Sequence, residues 1–262
     1  MLDICKVTDM YDDDDLRLLD PEVDLESPLD QLAPVDSAEA EAAKPDPEIM
    51  LALLDSAEVP QRMLAARAFC ELQDQRATPH LIRLLTDACP LVRVSAAYAL
   101  GRNPSPDAVE PLITQLDRDW NGYVRKGVVW ALGNCRDRRS LDPLTDALKT
   151  DISAVRLWAA SSLGQIAEVG ADAAILAMPA LAIALVQDPV AAVRSNCAWS
   201  LGQLAQEIPL NNEVYTQAID ALIQALEDAD MGVQEDAKAA LLKLGDPRGL
   251  QVIEEMELEG LL

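Results

Sequence analysis

The side chains able to act as nucleophiles or soft metal ligands are few: Cys5, Cys70, Cys89, Cys135, Cys197 and the single histidine His80. Cys–His or Ser–His–Asp catalysis would have to run through His80, beside Pro79 where a helix is expected to begin. No phosphate loop, zinc signature or nucleophile motif occurs, and there is no C-x-x-C. A complete iron–sulfur site takes about four converging thiolates. Cys70 and Cys197 fall at positions that read as core. Cys89 in a turn and Cys135 just past a helix read as the exposed thiols, and one of them could supply a ligand to a cluster shared with a partner. Five cysteines with no close pair are not a disulfide framework, which points to a reducing cytoplasm. Carboxylates are abundant, but no two are placed as an acid–base pair.

The arginines are organised differently. Arg62, Arg93, Arg125, Arg156 and Arg194 follow one another at 31, 32, 31 and 38 residues. Four of them open near-copies of V-R-x-x-A-A-x-A-L-G, ending at Gly101, Gly133, Gly164 and Gly202. A period of this size predicts stacked helix pairs. The expected fold is all-α: a right-handed α-solenoid of about six helix pairs over 46–262, preceded by an acidic, disordered arm over 1–45. That arm contains Asp12 to Asp15 and only three basic residues, Lys6, Arg17 and Lys44, so it lacks the apolar surface to offset its ordering entropy. Outer helices are expected at 47–55, 77–86, 106–116, 138–149, 173–187, 213–227 and 247–260. Inner helices are expected at 59–72, 90–101, 121–134, 153–168, 190–206 and 231–244. Pro79, Pro111, Pro143 and Pro179 read as first-turn residues of outer helices, and the signature Gly as the residue that ends or thins each inner helix.

Counting from the signature Arg as zero, positions −1, +3, +4 and +7 are mostly Val, Ala, Ala and Leu, one face of a 3.6-residue helix. Asp87, Asp119, Asp151 and Asp188 precede the inner helices and are expected to cap them and to face Arg93, Arg125, Arg156 and Arg194 across repeats, as a structural ladder. The remaining face is where a partner would bind. Position +5 carries Arg67, Tyr98, Trp130, Ser161, Trp199 and Ala239, and Trp158 stands at +2. Position +9 carries Glu71, Arg102, Asn134, Gln165 and Gln203. An aromatic stripe with a polar border is the chemistry of a binding groove.

The net charge of −24 works against nucleic acid and anionic lipid, and no stretch reaches the roughly 20 apolar residues of a membrane span. The complement is another protein with a basic or aromatic-binding surface.

The tandem helix pairs, the turn Asp and the V-R-x-x-A-A-x-A-L-G copies resemble the HEAT-repeat family, above all its bilin-lyase-type subgroup, which is common in cyanobacteria. The resemblance covers about 46–250; the end copies, Arg62 to Cys70 and Gln234 to Leu242, are degenerate, as caps are. It implies inner helices lining a concave surface. Relatives in the subgroup are phycobilin lyase subunits, phycobilisome-degradation proteins, or partners of an A-type iron–sulfur carrier. The lyase motif is close to Y-Y-A-A-W-W-L-G-R, and the segments at Leu157–Gly164 and Cys197–Gly202 each keep one aromatic of its four. The acidic arm and unpaired thiols fit the third group better. The resemblance therefore implies a non-enzymatic scaffold that has no intrinsic cofactor and shares an iron–sulfur cluster with its partner. The alternative is a phycobilin lyase subunit or phycobilisome-degradation protein, with bilin or phycobiliprotein in the same groove.

Overall fold

The computed structural model describes residues 45–165 and 169–259; the acidic arm expected over 1–45, apart from Pro45, lies outside the described residues. The described chain is thirteen α-helices with no strand. The outer helices are α1 (Pro47–Leu53), α3 (Thr78–Leu84), α5 (Pro106–Arg118), α7 (Leu141–Thr150), α9 (Ala171–Gln187), α11 (Glu213–Ala225) and α13 (Pro247–Glu259). The inner helices are α2 (Val59–Ala68), α4 (Pro90–Arg102), α6 (Gly122–Cys135), α8 (Ser153–Gly164), α10 (Ala191–Leu204) and α12 (Met231–Leu244). Each inner helix packs on the next inner helix and on outer helices, which makes an α-solenoid.

The core follows the repeat register. Val92, Val124, Val155, Val193 and Val233 at −1 and Leu100, Leu132, Leu163, Leu201 and Leu241 at +7 are fully buried. Each such side chain contributes about 1.5–3 kcal/mol. Two expectations are corrected. The signature Gly ends the inner helix only in α8, at Gly164, whereas α4, α6 and α10 run on past Gly101, Gly133 and Gly202. It is small because the next inner helix crosses there. A Cβ on Gly101 would lie 2.4 Å from Trp130 Cζ3, and one on Gly133 would lie 2.6 Å from Ser162 Oγ. The serine in turn donates to the Val129 carbonyl at 3.0 Å, and Ser200 does the same to Ala160 at 2.8 Å. Pro111 and Pro179 are likewise inside α5 and α9 and not in their first turns, because those helices begin earlier than the proline.

The turns before the inner helices are tied together by ion pairs. Arg62, Arg93, Arg125, Arg156 and Arg194 each bind both carboxylate oxygens of Asp87, Asp119, Asp151, Asp188 and Asp228, respectively, at 2.6–3.2 Å. Each Asp also accepts a backbone N–H in its own turn, such as that of Asn121 to Asp119 at 2.9 Å. It therefore shapes the turn that leads into the helix, while the N-cap itself is another residue: Cys89, Asn121, Ile152, Val190 or Asp230. The third donor of each guanidinium closes the unit on itself: Arg93 Nη1 reaches the Asp87 carbonyl at 2.9 Å and Arg194 Nη1 that of Asp188 at 2.8 Å. Gln234 keeps only this last bond, to the Asp228 carbonyl at 2.6 Å. No inner helix follows α12 among the described residues, so a bidentate cation has no further turn to hold there.

Candidate functional site

Two layers leave one face of the inner helices uncovered, and the register decides which residues occupy it. Positions +3, +4 and +7 are inside, so +1, +2, +5 and +9 remain at least partly exposed in most repeats. Tyr98, Trp130 and Trp158 are half-buried there and Trp199 is 45% exposed. Tyr98 and Trp130 are in ring contact, with centroids 5.4 Å apart and planes tilted by 47°. Their approach depends on Gly101, over which Trp130 lies. Lys126 places its ammonium 5.6 Å from the centre of the Trp158 ring, a cation–π distance. Ser161 is the +5 residue of α8, so the aromatic row has a small residue between Trp130 and Trp199.

The +9 row is uneven in its hydrogen bonding. Gln203 accepts from Lys243 at 2.9 Å, so the end of the row at α10 and α12 satisfies itself. Asn134 Nδ2 and Gln165 Oε1 are buried and have no hydrogen-bond partner among the described residues. Arg102 is exposed at the end of α4. It shares a corner with Arg67, at +5 of α2, and the half-buried Cys70. Burial pushes the Cys70 thiol up, while the positive charges of Arg102 and Arg67 pull it down less strongly. Burial also raises the Tyr98 hydroxyl, with a further contribution from Cys70.

Lys126 is a groove residue that the aromatic and polar rows alone do not reveal, and Arg67 stands in the +5 row as its one cation. Their signal in the sequence is faint: a cation at +5 where four other repeats carry an aromatic or Ser, and one at +1 where three of the others, Met63, Val94 and Leu157, are apolar. Trp120, 66% exposed, and Tyr123, 71% exposed, form a separate edge beside the ladder, with Arg93 Cζ 6.0 Å from the Trp120 ring centre. On the outer side, α5, α7 and the ladder turns border an open depression of about 740 Å³ with Asp117, Asp142, Asp146 and Arg118 in its wall.

The cysteines differ from expectation. Cys89 is not an exposed thiol but is buried at 4% exposure, because the turn is drawn inward by the bond from its own N–H to Asp87 Oδ1 at 2.8 Å. Cys70 is half-buried and packs against the edge of the core, just past the end of α2 at Ala68. Cys135 is half-buried, and burial pushes its thiol up. Cys197 is fully buried and its thiol is raised further by the same cause. Among the described residues no three His, Cys, Asp or Glu side chains converge as a metal site. His80 is engaged away from the groove, with Nδ1 2.8 Å from Asp55 Oδ2 and 2.8 Å from Arg83 Nη2.

These features define a class: an all-α solenoid of stacked helix pairs, bound turn to turn by an Asp–Arg ladder. The HEAT-repeat family model matches residues 47–128, 109–178 and 178–259, and the chain belongs to that family. Among curated proteins it is 39% identical over 108 residues to "Bilin biosynthesis protein RpcF" of Synechococcus sp. (strain WH8020). That match takes in 41% of this chain, and the chain spans about half (51%) of the relative's length. Among solved structures, the complex of CpcE and CpcF of phycocyanin lyase from Nostoc sp. PCC7120 superposes with a TM-score of 0.54 at 22% identity, over 79% of this chain and 80% of that one. A designed armadillo repeat protein in complex with the peptide (KR)4 superposes with a TM-score of 0.60 at 22% identity, over 76% of this chain and 98% of that one. At these identities the two structures show the fold alone.

The RpcF match corrects the functional expectation. A non-enzymatic scaffold for an iron–sulfur carrier rested on the acidic arm and on unpaired, accessible thiols. The sequence relative is instead named for bilin biosynthesis, and the thiol at Cys89 is enclosed.

Proposed function

We propose that this chain is a phycobilin lyase-type subunit that holds a bilin on the free face of its inner helices and acts together with a second protein. The observation that carries this reading is the 39% identity over 108 residues to a protein of bilin biosynthesis. The site's chemistry supports it. Tyr98, Trp130, Trp158 and Trp199 offer flat apolar surface to a conjugated ligand, beside cations and amides that would orient it. With His80 engaged elsewhere, this face contributes binding and orientation, which alone accelerate a reaction by fixing its partners. The solved phycocyanin lyase is a complex of CpcE and CpcF, which supports a protein partner here. The net charge of −24 favours a basic surface on that partner.

The test is to titrate the purified chain with phycocyanobilin, alone and with a co-expressed second HEAT-type subunit, following visible absorbance and induced circular dichroism. A saturable spectral change is expected, weakened at least tenfold by Trp158→Ala. An unchanged bilin spectrum in both settings would overturn the reading.

A further inference from the structure

The groove is not chemically uniform along its length, and the difference points to where a ligand sits and what it must carry. Four observations fall on the same stretch of the inner-helix face, from α2 to α8. Arg67 and Arg102 form no ion pair among the described residues, in a chain with 45 acidic and 21 basic side chains, although the single carboxylate of Glu71 shares their corner at Cys70. Elsewhere on the inner helices, Arg62, Arg93, Arg125, Arg156 and Arg194 are all spent on the ladder. Tyr98 lies between the two free arginines: it follows Arg67 in the +5 row and stands one helical turn before Arg102 on α4. Its ring partner Trp130 continues the flat surface into α6. Beyond it come a buried donor, Asn134 Nδ2, and a buried acceptor, Gln165 Oε1, both unpaired. A buried polar atom left without a partner costs about 1–3 kcal/mol, so a ligand that draws these half-buried side chains to the face and completes them is favoured. The far end of the row, Gln203 with Lys243, has no such vacancy.

We propose that the stretch from α2 to α8 is a subsite for a conjugated dicarboxylate with N–H and C=O groups along its edge, the chemistry of an open-chain tetrapyrrole. This deepens the reading of the chain as a bilin-binding subunit and rests on it. Arg67 and Arg102 take the carboxylates, Tyr98 and Trp130 stack on the conjugated rings, Gln165 Oε1 accepts from a ring N–H, and Asn134 Nδ2 donates to a ring carbonyl. Neighbouring helices stand about 8–10 Å apart, so the step from Arg102 on α4 to Gln165 on α8 spans roughly 16–20 Å, the scale of several linked rings and not of one. Lys126, already over the Trp158 ring, adds a third cation along the way. These cations keep the stretch attractive to a dianion despite the acidic whole, because short-range charge outweighs distant, screened charge.

The experiment compares free phycocyanobilin with its dimethyl ester, whose carboxylates are neutralised, by absorbance titration of the full chain. The wild type is expected to bind the free acid at least tenfold more tightly than the ester. Arg67→Gln with Arg102→Gln removes that preference while leaving ester binding unchanged. Gln165→Leu weakens acid and ester alike, by about tenfold. Arg118→Gln on the outer helix α5 serves as the charge control, with no change expected. Alkylation of Cys70, read by peptide mass spectrometry, is expected to slow when bilin is bound, whereas that of Cys135 is not. Arg67, Arg102 and Arg118 are on the surface and Gln165 is half-buried; far-UV circular dichroism checks that every variant folds. If the wild type binds neither ligand, the bilin-binding reading itself falls. If it binds bilin but the double arginine variant keeps the preference for the acid, or Cys70 is not protected, the subsite is elsewhere and only this inference falls.

Discussion

Arg93 and Asp119 are the least exposed pair of the ladder, with side chains 8% and 1% accessible. Asp119 also receives Gln115 Nε2 at 2.6 Å and the Asn121 N–H at 2.9 Å, so four donors converge on one carboxylate. Replacing Arg93 by Ala strands a buried charge, and the cost is expected to be about 3–5 kcal/mol in urea unfolding. Arg194→Ala, at the 14% and 12% accessible pair with Asp228, is expected to cost less, about 1.5–3 kcal/mol. The same carboxylates set the acid limit of the fold. The Arg194 bond holds Asp228 below the ordinary carboxylate range against the opposing effect of burial. At Asp119 burial is the largest influence and pushes upward, but Arg93, the Asn121 N–H and Gln115 together outweigh it, and the net shift is down. A carboxylate with a depressed folded pKa contributes stability above its unfolded value, about 3.9, and loses it as pH falls through the folded value. Urea midpoints are therefore expected to hold steady above about pH 5 and fall steeply below about pH 4. Asp228→Asn should flatten part of that slope; an identical acid profile in the variant would show that this pair does not set it.

At the scale of the helix, the alanines and glycines of the signature matter through distance. Successive inner helices cross where Gly101 meets Trp130, Gly133 meets Ser162 and Gly202 meets Ala240. At Gly133 an added Cβ would lie 3.0 Å from the backbone Cα of Ser162, which no rotamer change relieves. Ala is a better helix former than Gly by about 1 kcal/mol, so on propensity alone Gly133→Ala would stabilise α6. Packing predicts the opposite sign, a loss of about 1–3 kcal/mol from overpacking. Thermal unfolding of this variant decides between them. Gly101→Ala is expected to act on the groove as well, because the atom in its way is the Trp130 ring at 2.4 Å. Moving that ring should alter both tryptophan fluorescence and bilin affinity.

At the scale of the molecule, a solenoid is held by nearest-neighbour contacts, and its ends lack one neighbour. The inner helices α4, α6, α8 and α10 each have an inner helix on both sides, whereas α1 and α13 flank the described array. Met50 alone is buried in α1, and Gly249, Ile253 and Met256 in α13. Amide exchange is expected to be slowest in the four central inner helices and fastest in α1 and α13, since protection follows local burial. Equal protection throughout would mean one cooperative unit and not a chain of coupled repeats.

The sequence by itself determined the repeat, the helix pairs, the buried stripe and the Asp–Arg partnership. All of these follow from a period of about 31–38 residues and from helical spacing, which are local properties. It also carried the lyase-type resemblance, but the thiols and acidic arm drew the functional reading toward an iron–sulfur partner. Only the tertiary structure decided what each position faces. Cys89 and Cys135 look alike in sequence as loop cysteines; the inward turn at Asp87 buries the first and leaves the second half-exposed. Gly101 reads as a helix end until the neighbouring Trp130 is seen above it. Gln203 and Gln165 occupy the same register, yet Lys243 satisfies one and nothing described satisfies the other. Register is written within a helix, whereas burial and hydrogen-bond satisfaction depend on residues some 30–40 positions away, which meet only when the repeats stack.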